Sequence, residues 1–275
     1  MAVEQDLLKE KFGLFNLKAL FYDRVEFNID NPNYFFPDGL CCFVGSQGSG
    51  KTLSAVNYVY NLMKEYPMAK LCTNIMLKDY PIITFKDFLY NNYPKMVWQN
   101  YEDLTEMMKE NIYNDYLKLN RVFAFDGTDD LITYSNLNEG VIFLIDEIQL
   151  YLNSLESKSI SINVMNEISQ QRKQRKHIVC TSQVFGRLAK PLREQFNSVI
   201  LCKKYFNCLQ INSLISQDDI DFNADSMNVE GQVSRKYFWF HHPSYYKRYD
   251  TYYKIDRTKA ISNATDESLT YEKNN

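Results

Sequence analysis

Residues 45–52 read GSQGSGKT and follow directly on the apolar run LCCFV at 40–44. The octet fills every position of the pattern GxxxxGK[ST]. Glycines at 45, 48 and 50 let the backbone curl with successive N–H groups pointing inward, which makes a cradle for a chain of phosphates. The five apolar residues before it fit a strand buried on both faces. After it, TLSAVNYVYNLMKEY spaces Leu53, Val56, Val59, Leu62 and Met63 along one face of a helix. A helix in that place adds its positive end to the cradle. Gly45, Ser46, Gln47, Gly48, Ser49, Gly50, Lys51 and Thr52 are therefore the candidate nucleotide loop. Lys51 is expected to reach the β- and γ-phosphates of ATP, and Thr52 to ligate Mg²⁺ through its hydroxyl.

VIFLIDE (141–147) supplies a second half for that site. Its apolar residues again fit a buried strand, and the strand's end delivers Asp146 and Glu147 to the edge where ligands of parallel sheets bind. Asp146 is the expected second holder of Mg²⁺, through a water. Glu147 is the expected base that orients and deprotonates the water attacking the γ-phosphate. A kinase has no need of such a glutamate, because its acceptor takes the water's place. The third feature is QQRKQRKHIVCTSQ (170–183), a basic helix end running into a strand with a polar tip. Gln183 is the first candidate for the side chain that senses the γ-phosphate, with Ser182 second. The basic residues Arg172, Lys173, Arg175 and Lys176 read as a solvated face, a nucleic-acid contact, or the source of an arginine finger for a neighbouring subunit. Arg187 and Arg193 compete for that last role.

Between these motifs the chain alternates strand-like and helix-like stretches. AKLCTNIM (69–76), IVCTSQ (178–183) and SVILCKK (198–204) read as further strands. The alternation predicts an α/β fold with a mostly parallel sheet between helical layers. Residues 1–35 form a polar helix and lead-in, 36–256 the main domain, and 257–275 a polar tail with the composition of a disordered segment. Residues 77–139 stand out as an insertion. There Leu104, Met108, Ile112 and Tyr116 predict an amphipathic helix, and RVFAFDGTDDLITY predicts a hairpin turning at Asp126-Gly127. HHPSYYKRYDTYYKI (241–255) interleaves basic and aromatic residues and reads first as a tyrosine-rich strand packed on the core, with base stacking as the alternative. The adjacent His241 and His242 lack a third ligand for a metal.

Composition narrows the field. The 275 residues are 45% hydrophobic and 24% charged, with a net charge of −3, so no global positive field draws the protein to nucleic acid or membrane. Tyr and Phe number 21 and 18, a bias that follows an AT-rich coding sequence more readily than a stacking surface. No apolar run approaches the ~20 residues needed to cross a bilayer. Six cysteines without CxxC or Cys/His spacing predict reduced core thiols and a cytoplasmic setting.

The order GSQGSGKT, LCTNI, FLIDEIQ, RKQRKHIVCTSQ and GRLAKPLR resembles the Zot-type (zonular occludens toxin-like) ATPases of the FtsK–HerA division of P-loop motors, over roughly residues 38 to 205. The discriminating parts are TNI after the second strand, the DExQ of Asp146 to Gln149, and the RK segment ahead of Gln183. The resemblance implies a P-loop NTPase of the additional-strand, catalytic-glutamate type. Within it Arg172 matches the basic position ahead of the sensor strand and becomes the first choice of finger, and Gln183 matches the sensor glutamine. It further implies a phage or mobile-element homo-oligomer, commonly a hexameric ring, in the host cytoplasm or associated with the virion. The implied activity is translocation of double-stranded DNA for genome packaging or transfer, with a virion portal or a membrane protein as docking partner. The alternatives are a virion-assembly ATPase acting on protein and, from another class, a small-molecule phosphotransferase. Filamentous-phage members carry a membrane helix that this sequence lacks, which favours packaging over extrusion.

Overall fold

The computed structural model describes residues 27–93, 101, 104–154, 161–223 and 228–250, apart from 28, 32 and 37. Most of the expected N-terminal helix, and the whole of the polar tail, lie outside these residues. In chain order the main elements are β1 (Leu40–Val44), α1 (Lys51–Glu65), β2 (Lys70–Thr73), α2 (Phe85–Asn92), α3 (Glu106–Leu119), β3 (Val122–Ala124), β4 (Val141–Ile145), α4 (Ile162–Gln170), β5 (Lys176–Ser182), β6 (Phe196–Tyr205), β7 (Leu209–Ser216), β8 (Asp221–Asn223), β9 (Asn228–Glu230) and β10 (Arg235–Phe240). Eight of the strands form one sheet in the order β10-β7-β6-β1-β5-β4-β2-β3, and β8 and β9 pair separately. From β6 to β3 every neighbouring pair in the large sheet is parallel, whereas β7 and β10 are added antiparallel. One strand, β5, separates the strand that feeds the glycine loop from the strand that ends in Asp146. This is the P-loop NTPase arrangement in its additional-strand form.

The parallel strands are continuous apolar runs because both of their faces are covered. All five residues of β1 and of β4 are buried. On one face Cys41, Phe43, Ile142, Leu144 and Val179 pack against Ala55, Val56, Val59, Tyr60 and Met63 of α1. On the other, Cys42, Val44, Phe143, Ile145 and Cys180 meet Phe88, Tyr116, Val164 and Ile168 from α2, α3 and α4. All six cysteines are free thiols; five are buried and Cys208 is exposed. Lys176, read in the sequence as part of a basic run, is instead buried. Its ammonium pairs with Glu167 and donates to the Leu131 carbonyl at 2.7 Å.

Three local expectations change. The helix expected from Leu104, Met108, Ile112 and Tyr116 forms as α3, but it buries only Ile112 and Tyr116 and leaves Met108 half exposed at 50%. The hairpin expected at Asp126-Gly127 does not form. Only Val122–Ala124 is extended, and it pairs parallel to β2 at the sheet edge. The reason is Asp130, whose Oδ2 accepts from the Asp126 and Gly127 amides at 2.7 and 3.1 Å and winds the chain into a helical turn at Asp130–Thr133. Residues 241–250 do not form the expected tyrosine-rich strand either. They turn helically at Pro243–Tyr246, and Tyr249 then makes a single bridge to Leu77, flanked by bonds from Lys78 N to Arg248 O and from Asp250 N to Met76 O. Residues 251–255 lie outside the described ones.

Burial pushes the Asp130 carboxyl up to about 6, against the pull of its two amide donors. A carboxyl raised on folding binds its proton more tightly in the native state, so stability falls as pH rises from about 4 to about 6. Asp130→Asn keeps an acceptor for the amides and removes that loss. Thermal unfolding should show variant and wild type alike near pH 4, with the variant ahead by on the order of 2 kcal/mol at pH 7.

Candidate active site

The strand order brings the motifs together. β1, β5 and β4 are neighbours that end at one edge, with Val44 opposite Ser182 and Ile145 opposite Cys180. Gly45, Gln183 and Asp146 therefore leave the sheet side by side. The loop is closed by the glycines the sequence places there. Gly48 and Gly50 have φ of 77° and 84°, the left-handed region that disfavours side chains. A Cβ on Gly50 would stand 2.1 Å from Gln210 Oε1, and one on Gly45 would stand 2.4 Å from Ser49 Oγ. The first bond inside α1 runs from Ser54 N to Gly50 O at 2.9 Å, so the amides before it point out of the helix end.

Glu147 and Asp146 face this loop. Asp146 Oδ1 accepts hydrogen bonds from the hydroxyls of Thr52, at 3.0 Å, and Thr181. Lys51, itself buried, pairs with Glu147 at 2.9 Å. Glu147 also accepts from Gln149 and, at 3.2 Å, from Gln183. It adopts φ 52° and ψ 53°, a left-handed conformation that costs a side-chain-bearing residue energy and that clusters at functional sites. Its amide donates to Thr181 Oγ1 at 2.9 Å, which fixes that turn. Burial raises the Asp146 carboxyl, Glu147 beside it adds to the rise, and Thr181, Thr52 and Lys51 oppose it.

Two buried scaffolds hold these groups. Asn74 clamps the backbone of Asp146 on both sides, donating to its carbonyl at 3.0 Å and accepting from its amide at 2.8 Å. Gln210, fully buried on β7, donates to the Ser49 carbonyl at 3.0 Å and to Asn212 Oδ1 at 2.9 Å, and its own Oε1 meets His241 Nε2 at 3.0 Å. His241 thus braces the loop from behind. Burial, and then the nearby charge of Lys204, lower its pKa. The TNI motif was visible in the sequence and Asn74 gives it a role. Gln210 carried no signal, since a lone glutamine on a strand looks like any other polar residue, and His241 stood out only as the neighbour of His242, with nothing to suggest this brace.

The arginines do not join this cluster. Arg172 is exposed in the turn after α4, ahead of β5. The seven residues of β5, roughly 22 Å of strand, separate it from Gln183, so it sits at the opposite edge of the sheet. Arg175 instead stacks its guanidinium 3.9 Å from the ring centre of Tyr34. Arg187 is exposed in the short turn Phe185–Arg187 that follows Gln183, on the same edge as the loop.

A cavity of about 200 Å³ opens beside the loop, lined by Gly48, Lys51, Thr52, Lys204, Tyr246 and Tyr249 among others. A larger one of about 530 Å³ lies between α1 and β10 but touches no residue of the glycine loop, whereas Gly48, Gly50, Lys51 and Thr52 line the smaller. Burial and the Asp146 charge push Tyr249 up to about 12. The residues fit a magnesium nucleotide. Ser49 Oγ is buried with no protein partner. Thr52 and Asp146 offer only oxygen, which suits a hard cation. The Thr52 hydroxyl donates to Asp146 Oδ1 at 3.0 Å, so a cation held by Thr52 would have the Asp146 carboxylate within reach through a bound water.

No family model and no curated protein matches the chain. Among solved structures it is similar to the N-terminal domain of zonular occludens toxin from Neisseria meningitidis. That match has 16% identity and a TM-score of 0.46, and covers 77% of this chain and 98% of that one. It is also similar to the genome packaging NTPase of Sulfolobus turreted icosahedral virus 2 in complex with AMPPCP, at 15% identity and TM-score 0.40, over 62% and 76%. The flagellar accessory protein FlaH of Methanocaldococcus jannaschii matches at 11% identity and TM-score 0.39, over 73% and 92%. These are likenesses of chain path, and the chemistry of the site stands on the geometry above.

Asn74 is the support that can be tested apart from any ligand. Asn74→Ala should cost about 2–4 kcal/mol in urea unfolding, because it strands the buried amide and carbonyl of Asp146 together. A loss below about 0.5 kcal/mol would mean that Asp146 holds its place without the clamp.

Proposed function

We propose that this chain is a Mg²⁺-dependent ATPase that works in an oligomeric ring to move DNA. The observation that carries the hydrolytic part is the convergence of Lys51, Thr52, Asp146, Glu147 and Gln183 within hydrogen-bonding reach at one sheet edge. Lys51 and the loop amides bind phosphate oxygens. Thr52 and Asp146 hold the metal ion, which when bound supplies positive charge to the phosphates. Glu147, aimed by Gln183 and Gln149, accepts the proton of the attacking water. Gln183 reaches from Glu147 toward the phosphate end of the loop and reports which side of hydrolysis the site is on. Since the sheet keeps Arg172 away from its own loop, a finger from Arg172 acts in a neighbouring subunit, and a ring gives it one.

The DNA-moving part rests on the resemblance of the motif order, and duplex DNA is the polymer that resemblance implies. Among the described residues no helix is long and apolar enough to cross a membrane. A phosphotransferase would leave Glu147 and its three side-chain partners without a task.

The test separates binding from turnover. Glu147→Gln should bind ATP as the wild type does and lose about 10²–10⁴ in kcat, the usual worth of a general base. Lys51→Ala should lose both binding and turnover. Equal turnover by Glu147→Gln and wild type in a phosphate-release assay would remove the glutamate from the mechanism. Electron microscopy of Glu147→Gln with ATP and duplex DNA then checks for rings with DNA at the centre.

A further inference from the structure

We infer that the antiparallel extension β6–β7–β10 is a binding surface for an unstacked nucleic-acid strand. Charge is the first observation. Residues 196–216 and 231–249 contain Lys203, Lys204, Arg235, Lys236, Lys247 and Arg248 and no Asp or Glu, in a chain whose net charge is −3. The acids between β7 and β10, Asp218, Asp219, Asp221, Asp225 and Glu230, all come after the far end of β7 at Ser216. Of the basic residues, Lys203 and Lys236 share one face of the extension, whereas Lys204 and Arg235 stand on the other and Arg248 reaches Asn57 of α1.

The second observation is the register. Phe238 pairs with Ile211, which pairs with Lys203; Phe240 pairs with Leu209, which pairs with Tyr205. Paired residues share a face, and Lys236 stands on it two residues before Phe238. Phe238 and Phe240 are 63% and 69% exposed and Tyr205 is 44% exposed. Three bare rings interleaved with two exposed lysines make a platform on which bases stack while phosphates meet ammonium groups. Phe238 and Phe240 are two strand residues apart, about 6.8 Å. That is twice the ~3.4 Å spacing of stacked bases, so successive bases reach successive rings only in a strand pulled out of its stack. A duplex, with its bases paired and stacked, presents no such faces.

The third observation is position. Val44, the last residue of β1, pairs with Leu201, and β6 then continues to Tyr205. The platform therefore runs about 13 Å past the end of β1, at the sheet edge the glycine loop leaves from and on the face opposite Gln210. A strand lying on it reaches the same sheet edge as the glycine loop, with β6 and β7 between them. This goes beyond the proposed function, whose duplex comes from the resemblance alone: it gives the chain a contact surface for a single strand, and the binding itself requires no nucleotide.

The test is fluorescence anisotropy without nucleotide, using full-length protein and a labelled oligothymidine of about 30 nucleotides, longer than the 4–16 covered by a typical single-strand-binding fold. A duplex of equal length is the comparison. The single strand should bind more tightly than the duplex. Phe238→Ala with Phe240→Ala should weaken it by about tenfold per ring, leaving DNA-free ATP turnover unchanged. Lys203→Gln with Lys236→Gln should lower the salt slope by about 1.4, at about 0.7 per phosphate contact, and serves if the phenylalanine pair does not fold. Unchanged affinity in either folded pair overturns the proposal. So does equal binding of duplex and single strand. If the phenylalanine pair instead dissociates an oligomer in sedimentation velocity while DNA binding persists, the face is an interface between copies and the proposal fails. A wild type that binds the strand but hydrolyses no ATP sinks the ATPase reading alone; hydrolysis without strand binding sinks this one alone.

Discussion

Thr52 Oγ1 and Asp146 Oδ1 stand 3.0 Å apart although they belong to segments far apart in the chain. That single hydrogen bond depends on strand order. β1 and β4 are not neighbours; β5 lies between them and lends Thr181, whose hydroxyl touches both Asp146 and the Glu147 amide. With one strand more or fewer between them, loop and acids would face each other across the wrong gap. The parallel register fixes the height of each strand end, and the apolar burial of β1, β4 and β5 makes that register costly to shift.

The sheet divides into two kinds of construction with different tasks. From β6 to β3 it is parallel, covered on both faces and almost wholly apolar, which makes a rigid floor for the site. From β6 outward it turns antiparallel, and its faces carry what the floor cannot. One face brings Gln210, Asn212 and His241 to the back of the glycine loop. The other leaves Phe238 and Phe240 bare. A buried polar network of this kind holds only when each member is satisfied, and the Gln210 group meets that condition through backbone and side-chain partners together.

What the sequence disclosed was what has a period or a fixed spacing. LCCFV and VIFLI are buried strands because nothing polar interrupts them, and GSQGSGKT is a loop because its glycines are needed where the backbone is left-handed. The acids followed from their place at a strand end. The hairpin at Asp126-Gly127 failed because a single carboxylate, Asp130, captured the amides that a returning strand would have used, a choice made by one side chain and invisible to any pattern. Arg172 was matched by resemblance alone, and resemblance does not say at which edge of the sheet a residue finishes. Gln210 and His241 meet only after β7 and β10 pair, so no local window contains the reason for either.

Lys51 has one ammonium group and two claimants, the carboxylate of Glu147 and the phosphate oxygens for which its loop is shaped. Drawing the lysine toward phosphate would lengthen its 2.9 Å pair with Glu147 and leave that carboxylate to Gln149 and Gln183. The ion pair meanwhile compensates two charges that the surrounding sheet edge largely shields from water.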